Sequence, residues 1–281
     1  LPNEFEQRCR RQAQKIFETK WCLLGETDNE AIDFIVIGDS HSQVGIEMFD
    51  RLARNYGLKG IFARESGCPA LLGIYPVRGG VHPNDQSRRC FNLNQNALEI
   101  ATRENVRNVF LISRWDYYVD GSSSGSRVDI TSDSLVVGDV AYARDLYASA
   151  VKMTVAAYEG IASKLVVMLQ VPHQKIDTRR VLENLMSYNN AKDRELLLQE
   201  MQELSITTRE HIQRQKVASS VWFKEERATT SFDLLDPTDA FCYNGLCSAF
   251  SKNKAFYYDD DHPSALGFER LYSQFEPYFQ E

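Results

Sequence analysis

Short apolar runs recur along this chain at intervals that leave room for a helix between them. Residues 33–38 read DFIVIG, 58–63 LKGIFA, 108–113 NVFLIS and 164–170 KLVVMLQ, and another run lies around 229–235. Runs this short, rich in β-branched residues and apolar on both faces, fit strands covered on both sides, as in a parallel sheet. Between them, 41–56 sets Val44, Met48 and Leu52 at spacings of four before a stopping Gly57, and 94–104 and 140–163 carry helical patterns. Strands alternating with helices imply right-handed crossovers and a doubly wound fold. The expected class is α/β: three layers, α/β/α, around a central, mostly parallel five-stranded sheet.

The flanks read differently. Residues 1–30 are expected to be an N-terminal helical extension, with an amphipathic helix over 3–20, and 31–281 a single catalytic domain. The stretch 117–130, interrupted by GSSSGSR at 121–127, suggests a protruding hairpin. A polar helix is expected over 189–215, and a final one over 264–275.

The net charge of −7, with no contiguous basic stripe, argues against a nucleic-acid partner. No run approaches the roughly 20 apolar residues of a membrane helix. The chain starts at Leu1, as a processed form or an excised domain would. Its six cysteines fall into sequence neighbourhoods, and the economical pairing is Cys9–Cys22, Cys68–Cys90 and Cys242–Cys247. The last pair brackets an Asn-Gly turn that brings two sulfurs together. Disulfides imply an oxidising compartment; buried reduced thiols in a cytosolic protein are the alternative. A metal site is not expected, because neither CxxC pairs nor interleaved histidines occur.

Two motifs carry chemistry. In open α/β sheets ligands bind beyond the carboxyl ends of the strands, and the first strand runs directly into Gly38-Asp39-Ser40-His41-Ser42. Gly38 permits a tight exit, and Ser40 lands at a helix N-terminus, where free N–H groups favour developing negative charge. The plain alternative is that Asp39 or Ser40 only caps the helix. Near the other end stands YYDDDHPS at 257–264. An aspartate three residues ahead of a histidine on a turn can fold back onto its ring and fix its tautomer while the other nitrogen faces a serine. Asp259 has that spacing to His262; Asp260 and Asp261 do not, and read as solvated or capping residues. Ser40, His262 and Asp259 are thus the expected nucleophile, base and orienting acid. His173, in a Val-Pro-His beyond the fourth strand, reads as structural, as do His82 and His211.

In their order these motifs resemble the SGNH hydrolase superfamily, whose fold is flavodoxin-like, and more closely the SGNH domain fused behind acyltransferase family 3 membrane domains. The resemblance rests on Cys22-Leu-Leu-Gly25 before GDSH, on Cys68-Pro69 after the second strand, on Arg114-Trp115 after the third, and on 257–264. It implies an O-acyltransferase, usually an O-acetyltransferase, that moves an acyl group through a Ser40 ester to a hydroxyl of a cell-envelope glycan such as O-antigen, lipopolysaccharide or peptidoglycan. A secreted esterase that deacetylates a glycan is the alternative. The domain itself would bind no cofactor; acetyl-CoA would be the ultimate donor, through a fused or associated membrane domain. The expected place is the periplasm, or another site outside the cytoplasm, with a tether to the inner membrane. The oligomeric state is left open.

The superfamily's oxyanion-hole Asn is replaced by Arg114-Trp115 here, which leaves the backbone N–H groups of Ser40 and Gly67 as expected donors. Arg114 is expected to hold a substrate oxygen and Trp115 to stack on a sugar, with a salt bridge and core packing as their plain alternatives. Pro263 stands where the subgroup more often has Leu, and suits a helix entry.

Overall fold

The computed structural model describes residues 14–16, 19–77, 84–120, 128–132, 139–175, 177–178, 181, 195, 199, 205–228, 232–251 and 254–280. The first ten strands, in chain order, are β1 (Gln14–Ile16), β2 (Thr19–Gly25), β3 (Phe34–Gly38), β4 (Lys59–Arg64), β5 (Tyr75–Val77), β6 (Asn108–Ile112), β7 (Asp129–Thr131), β8 (Lys164–Met168), β9 (Ile206–Thr207) and β10 (Phe232–Leu235); four two-residue strands follow between Cys242 and Ala255. The main sheet has the order β1-β2-β4-β3-β6-β8-β10. Its neighbours from β4 to β10 all pair in parallel, and these are the strands the apolar runs mark.

Both faces of the parallel strands are buried, which is why those runs do not alternate with polar residues. Ile35, Ile37, Val109, Leu111, Leu165 and Val167 face one core, which also takes Leu93, Ala97, Tyr147, Val151 and Trp222. Phe34, Val36, Phe110, Ile112, Val166 and Met168 face the other, with Phe49, Leu52, Phe268, Phe275 and Phe279. The helices Asp85–Glu104, Val140–Tyr158 and Thr208–Glu226 supply the first layer, and Ile46–Asn55 with the C-terminal turns supplies the second. The three-layer α/β/α expectation holds, but the main sheet has seven strands rather than five, because β1 and β2 extend the five parallel strands in antiparallel pairing.

Three local expectations change. Residues 14–16 and 19–25 are strands, not helix. β2 runs antiparallel along β4 from Trp21 opposite Ala63 to Gly25 opposite Lys59, and β1 folds back on β2. A helix there would leave the β4 edge unpaired, and the strand buries Trp21, Cys22 and Leu24. Residues 1–13 of the expected extension lie outside the described residues. Residues 121–127 lie outside the described residues, and their flanks do not pair as two strands: Trp115–Tyr118 make a 3-10 turn, Val128 N–H donates to the Tyr117 carbonyl at 3.2 Å, and β7 pairs antiparallel with β5. Tyr118 and Val128, both buried, draw these flanks inward. The last helix breaks into the short pieces Ala265–Glu269, Tyr272–Phe275 and Pro277–Gln280.

The disulfides Cys68–Cys90 and Cys242–Cys247 are formed. Cys22 is disulfide-bonded as well; its expected partner Cys9 lies outside the described residues. Much of the helix expected over 189–215 also lies outside them; its end falls within Thr208–Glu226. Among the described residues no helix is long and apolar enough to cross a membrane.

Candidate active site

The sheet has one place where successive crossovers leave in opposite directions. From β3 the chain passes to β4 on one side, and the next main-sheet strand, β6, lies on the other. At such a switch point the loops beyond the strand ends diverge and open a crevice. Gly38 ends β3 there, between Arg64 of β4 and Ile112 of β6. A β-carbon on Gly38 would stand 1.9 Å from the Ile112 carbonyl oxygen and 2.7 Å from Ser42 Cβ, so only glycine lets the chain turn so tightly.

Asp39 follows and caps the helix Ser40–Val44, accepting from His41 N–H at 2.9 Å. It does more than cap. Its second oxygen accepts from the Arg114 backbone N–H at 2.9 Å and from the Tyr118 hydroxyl at 2.8 Å, which ties the exit of β3 to the exit of β6. Burial works against the charge of this carboxyl, yet hydrogen bonds from His41 and Arg114 hold it below the usual carboxylate range.

The C-terminal turn fastens itself before it meets the serine. Asp259 Oδ1 accepts from the backbone N–H of Asp261 at 3.0 Å and of His262 at 2.7 Å. Tyr258 N–H donates to the His262 carbonyl at 2.8 Å, and Tyr257 bridges Pro263. These bonds present the imidazole edge-on. His262 Nδ1 lies 2.8 Å from Asp259 Oδ2, and His262 Nε2 lies 2.8 Å from Ser40 Oγ. Side chains 222 positions apart in sequence therefore form one hydrogen-bonded line at the switch point.

Asp261, read from the sequence as solvated or capping, is buried. Its Oδ1 sits 2.7 Å from the same His262 Nδ1, and its Oδ2 forms an ion pair with the Arg114 guanidinium. Burial pushes the Asp261 carboxyl up, but His262, His41 and Arg114 together hold it well below the carboxylate range. Burial likewise pulls the His262 imidazolium down, but Asp259 and Asp261 outweigh it and push this group up to about 10. His41 stacks on His262 with ring centroids 4.4 Å apart, and its Nε2 lies 3.2 Å from the Asp261 carbonyl oxygen.

The residues expected to touch substrate beyond β6 are both engaged by the protein itself. Trp115 is 1% exposed; its indole N–H donates to the Met168 carbonyl at 2.7 Å and its ring meets Trp222 edge-on. A flat aromatic at a strand end packs inward when a second apolar layer lies beneath it, and the helix Thr208–Glu226 supplies that layer through Trp222. Arg114 spends its guanidinium on Asp261 and on the Tyr117 ring, 4.5 Å from the centroid, so the salt-bridge alternative describes it. Gly67 lies buried in the turn after β4 with φ +64°, in the left-handed region glycine favours. His173, expected to be structural, is buried, with Nε2 2.9 Å from Asp260 Oδ2 and Nδ1 3.5 Å from Arg114. His211 is buried against Thr238 and Gln215. His82 lies outside the described residues.

Sequence reasoning missed Asp39 as a tie, and Asp261, His41 and His173 as neighbours of the line. One signal was present: Arg114, a cation at a buried strand end, needs an anionic partner. Among the described residues two groups come close enough for a metal ion, His41–Asp261–His262 and His173–Asp260–Asp261. Both share Asp261, whose carboxylate already carries the Arg114 guanidinium, a fixed positive charge that a metal ion would have to displace.

Structural comparison places the chain near several solved domains. The periplasmic domain of a lipopolysaccharide acetyltransferase from Salmonella ser. Paratyphi A matches with a TM-score of 0.58 at 15% identity, over 92% of this chain and 87% of that one. An acetylxylan esterase from Geobacillus stearothermophilus, studied as a catalytic mutant, matches at 0.43 and 12% identity over 91% and 95%. A GDSL-like lipase from Bacteroides thetaiotaomicron VPI-5482 matches at 0.43 and 8% over 88% and 87%. At identities this low the likeness extends to the fold alone. Comparison with curated protein sequences returns no match. Residues 8–277 match the family described as the SGNH domain fused to AT3 domains, and the chain belongs to that family.

Proposed function

We propose that this chain is an O-acyltransferase domain that carries an acetyl group on Ser40 and passes it to a hydroxyl of a cell-envelope glycan. The observation that carries this reading is the line Ser40–His262–Asp259, with 2.8 Å at each step, standing at the switch point of the sheet. Serine, imidazole and carboxylate in that order are what acyl transfer through a covalent ester requires.

The chemistry runs in two displacements. Ser40 Oγ attacks the carbonyl carbon of the acyl donor while its proton passes to His262 Nε2. The donor's leaving group departs with that proton, and the acetyl group remains as the Ser40 ester. The acceptor hydroxyl then gives its proton to His262 Nε2 and attacks the ester, and Ser40 takes the proton back as it leaves. The backbone N–H groups of Ser40 and Gly67 are the proposed donors to the oxyanion of both tetrahedral intermediates. Asp259 and Asp261, opposite the serine, stabilise the imidazolium that forms in each.

Membership of the AT3-fused family supports a membrane domain as the source of the acetyl group, with acetyl-CoA as ultimate donor. The disulfides support a place outside the cytoplasm, where a tether to the inner membrane would keep the domain beside that donor. The same residues would hydrolyse an acetyl ester if water replaced the acceptor, so the test compares the two. With p-nitrophenyl acetate as donor, acetylated glycan should increase with acceptor concentration at the expense of acetate release. Transfer that never exceeds hydrolysis at saturating glycan sinks the transferase reading in favour of a deacetylase. Failure of a fluorophosphonate probe to label Ser40 sinks both.

A further inference from the structure

We infer that Asp261 is a second positioning carboxylate for His262, an ion-pair partner beside the Asp259 hydrogen bond at Nδ1, and that Arg114 is the clamp that holds it there. This rests on the proposed role of His262 as base. The two carboxylates approach one nitrogen at nearly equal distance, 2.8 Å from Asp259 Oδ2 and 2.7 Å from Asp261 Oδ1.

Their surroundings are unequal. The Asp259 side chain is 25% exposed, and its other oxygen is spent on the backbone N–H groups of its own turn. The Asp261 side chain is 5% exposed, with its other oxygen on the Arg114 guanidinium. Its carbonyl oxygen meets His41 Nε2, and the His41 ring stacks on His262. Water competes for Asp259 more than for Asp261, and an ion pair held away from water is screened less. Asp261 is therefore a second, charge-paired partner of the imidazole beside the directed bond to Asp259, although the Asp-x-x-His spacing points to Asp259 alone.

The clamp explains why the exit of β6 carries Arg. Arg114 is anchored by its own backbone N–H to Asp39, the residue before the serine. The chain of contacts Asp39–Arg114–Asp261–His262 thus runs from the serine's own turn back to the histidine. It fixes the distance between two segments that the covalent chain does not hold together. The charged and titratable groups around the ring are Asp259 and Asp261 at Nδ1, His41 on its face with Asp39 behind it, and Arg114 beyond Asp261 with Asp116, His173 and Asp260 about it.

The test uses Asp259→Asn, Asp261→Asn and the double variant, with Ser40→Ala as baseline. The first measurement is the pH profile of p-nitrophenyl acetate turnover. If both carboxylates act on the ring, each single variant loses no more than about 100-fold and its profile moves towards acid. The double variant then loses on the order of 10⁴-fold, as loss of a sole orienting carboxylate does. The second measurement is the NMR titration of the His262 ring, assigned against His262→Gln, which needs no activity. Both single variants should lower its midpoint, by similar amounts. Full loss in Asp259→Asn, with an unmoved profile and an unmoved His262 titration in Asp261→Asn, overturns the inference.

Asp261→Asn leaves Arg114 buried without its counter-charge and can cost the fold. Asp259→Asn then decides alone: retained turnover and a His262 midpoint still above the ordinary value support a second carboxylate, and their loss refutes it. If the unmodified protein is no faster than Ser40→Ala, the proposed function fails, while the ring titration still decides the role of Asp261.

Discussion

Two neighbouring strand exits in this molecule behave in opposite ways. The exit of β3 displays its serine to the crevice, whereas the exit of β6, one strand over, turns its aromatic and its cation inward. Both leave the same edge of the same sheet, and sequence position alone makes both look like substrate contacts. The difference lies in what waits behind them. At β3 the next residues cap a helix within three positions, a local event that leaves Ser40 Oγ free to reach His262. At β6 the partners are Met168, Trp222 and Asp261, supplied by distant parts of the chain. A strand end is a functional position only when its side chains are not already claimed by the layers that meet there.

The largest break of this contrast is Ser40→Ala. It removes the only group at the β3 exit placed to form the ester, and turnover should fall by 10³-fold or more, on the order seen when serine enzymes lose their nucleophile. Intact folding by circular dichroism and loss of fluorophosphonate labelling are the expected pair of results. Turnover within tenfold of the parent would transfer the chemistry to some other residue.

Trp115→Ala tests the opposite exit. With the ring fully buried against Trp222, truncation should cost about 3–5 kcal/mol of folding stability, the usual range for a large buried aromatic. Urea unfolding measures it. A sugar-stacking tryptophan would instead leave stability near the parent value and raise KM for the glycan, which would move Trp115 from the core to the acceptor site.

The contrast also separates what the sequence could disclose from what it could not. GDSHS and Asp-x-x-His were legible because each is built from near neighbours: a glycine that lets strands close, a cap two residues on, an aspartate bonded to the N–H groups of its own turn. The parallel strands were legible because burial on both faces writes itself into a continuous apolar run. The β2 edge strand was not, because Thr19–Gly25 mixes polar and apolar residues in a way that fits either a helix or a strand, and only the open β4 edge decides. Asp261 was not legible for the same reason. Its spacing to His262 is uninformative, and the residue that fixes it, Arg114, comes from far away in the chain.

A third, smaller effect concerns pH. Only the neutral imidazole can take the serine proton, yet Asp259 and Asp261 raise the His262 midpoint from 6.5 to about 10. The carboxylates that favour the imidazolium of the transition state therefore make the active form of the free enzyme scarce near neutrality. Turnover should rise about tenfold per pH unit between 7 and 9, and level off near 10. Stability runs the other way. A group with a raised folded-state midpoint contributes fully below its unfolded value, here 6.5, and that contribution is lost as pH rises through about 10. A rate flat from pH 6 to 9 would put the midpoint below the ordinary 6.5 and mean that neither carboxylate raises it.

The smallest expected effect falls on the tie between the two exits. The Tyr118 hydroxyl donates to buried Asp39 at 2.8 Å, sharing its Oδ2 with the Arg114 backbone N–H. Tyr118→Phe removes that donor without opening a cavity, so the cost is that of one hydrogen bond to a charged group, about 1.5–3 kcal/mol. Because Asp39 precedes the nucleophile and Arg114 clamps Asp261, the loss should also be felt at the site, as a modest fall in kcat with KM for the acyl donor unchanged. A stability loss with kcat untouched would show that the two exits are held in register by the sheet itself, through Gly38 opposite Ile112, and that the Asp39 tie serves the fold alone.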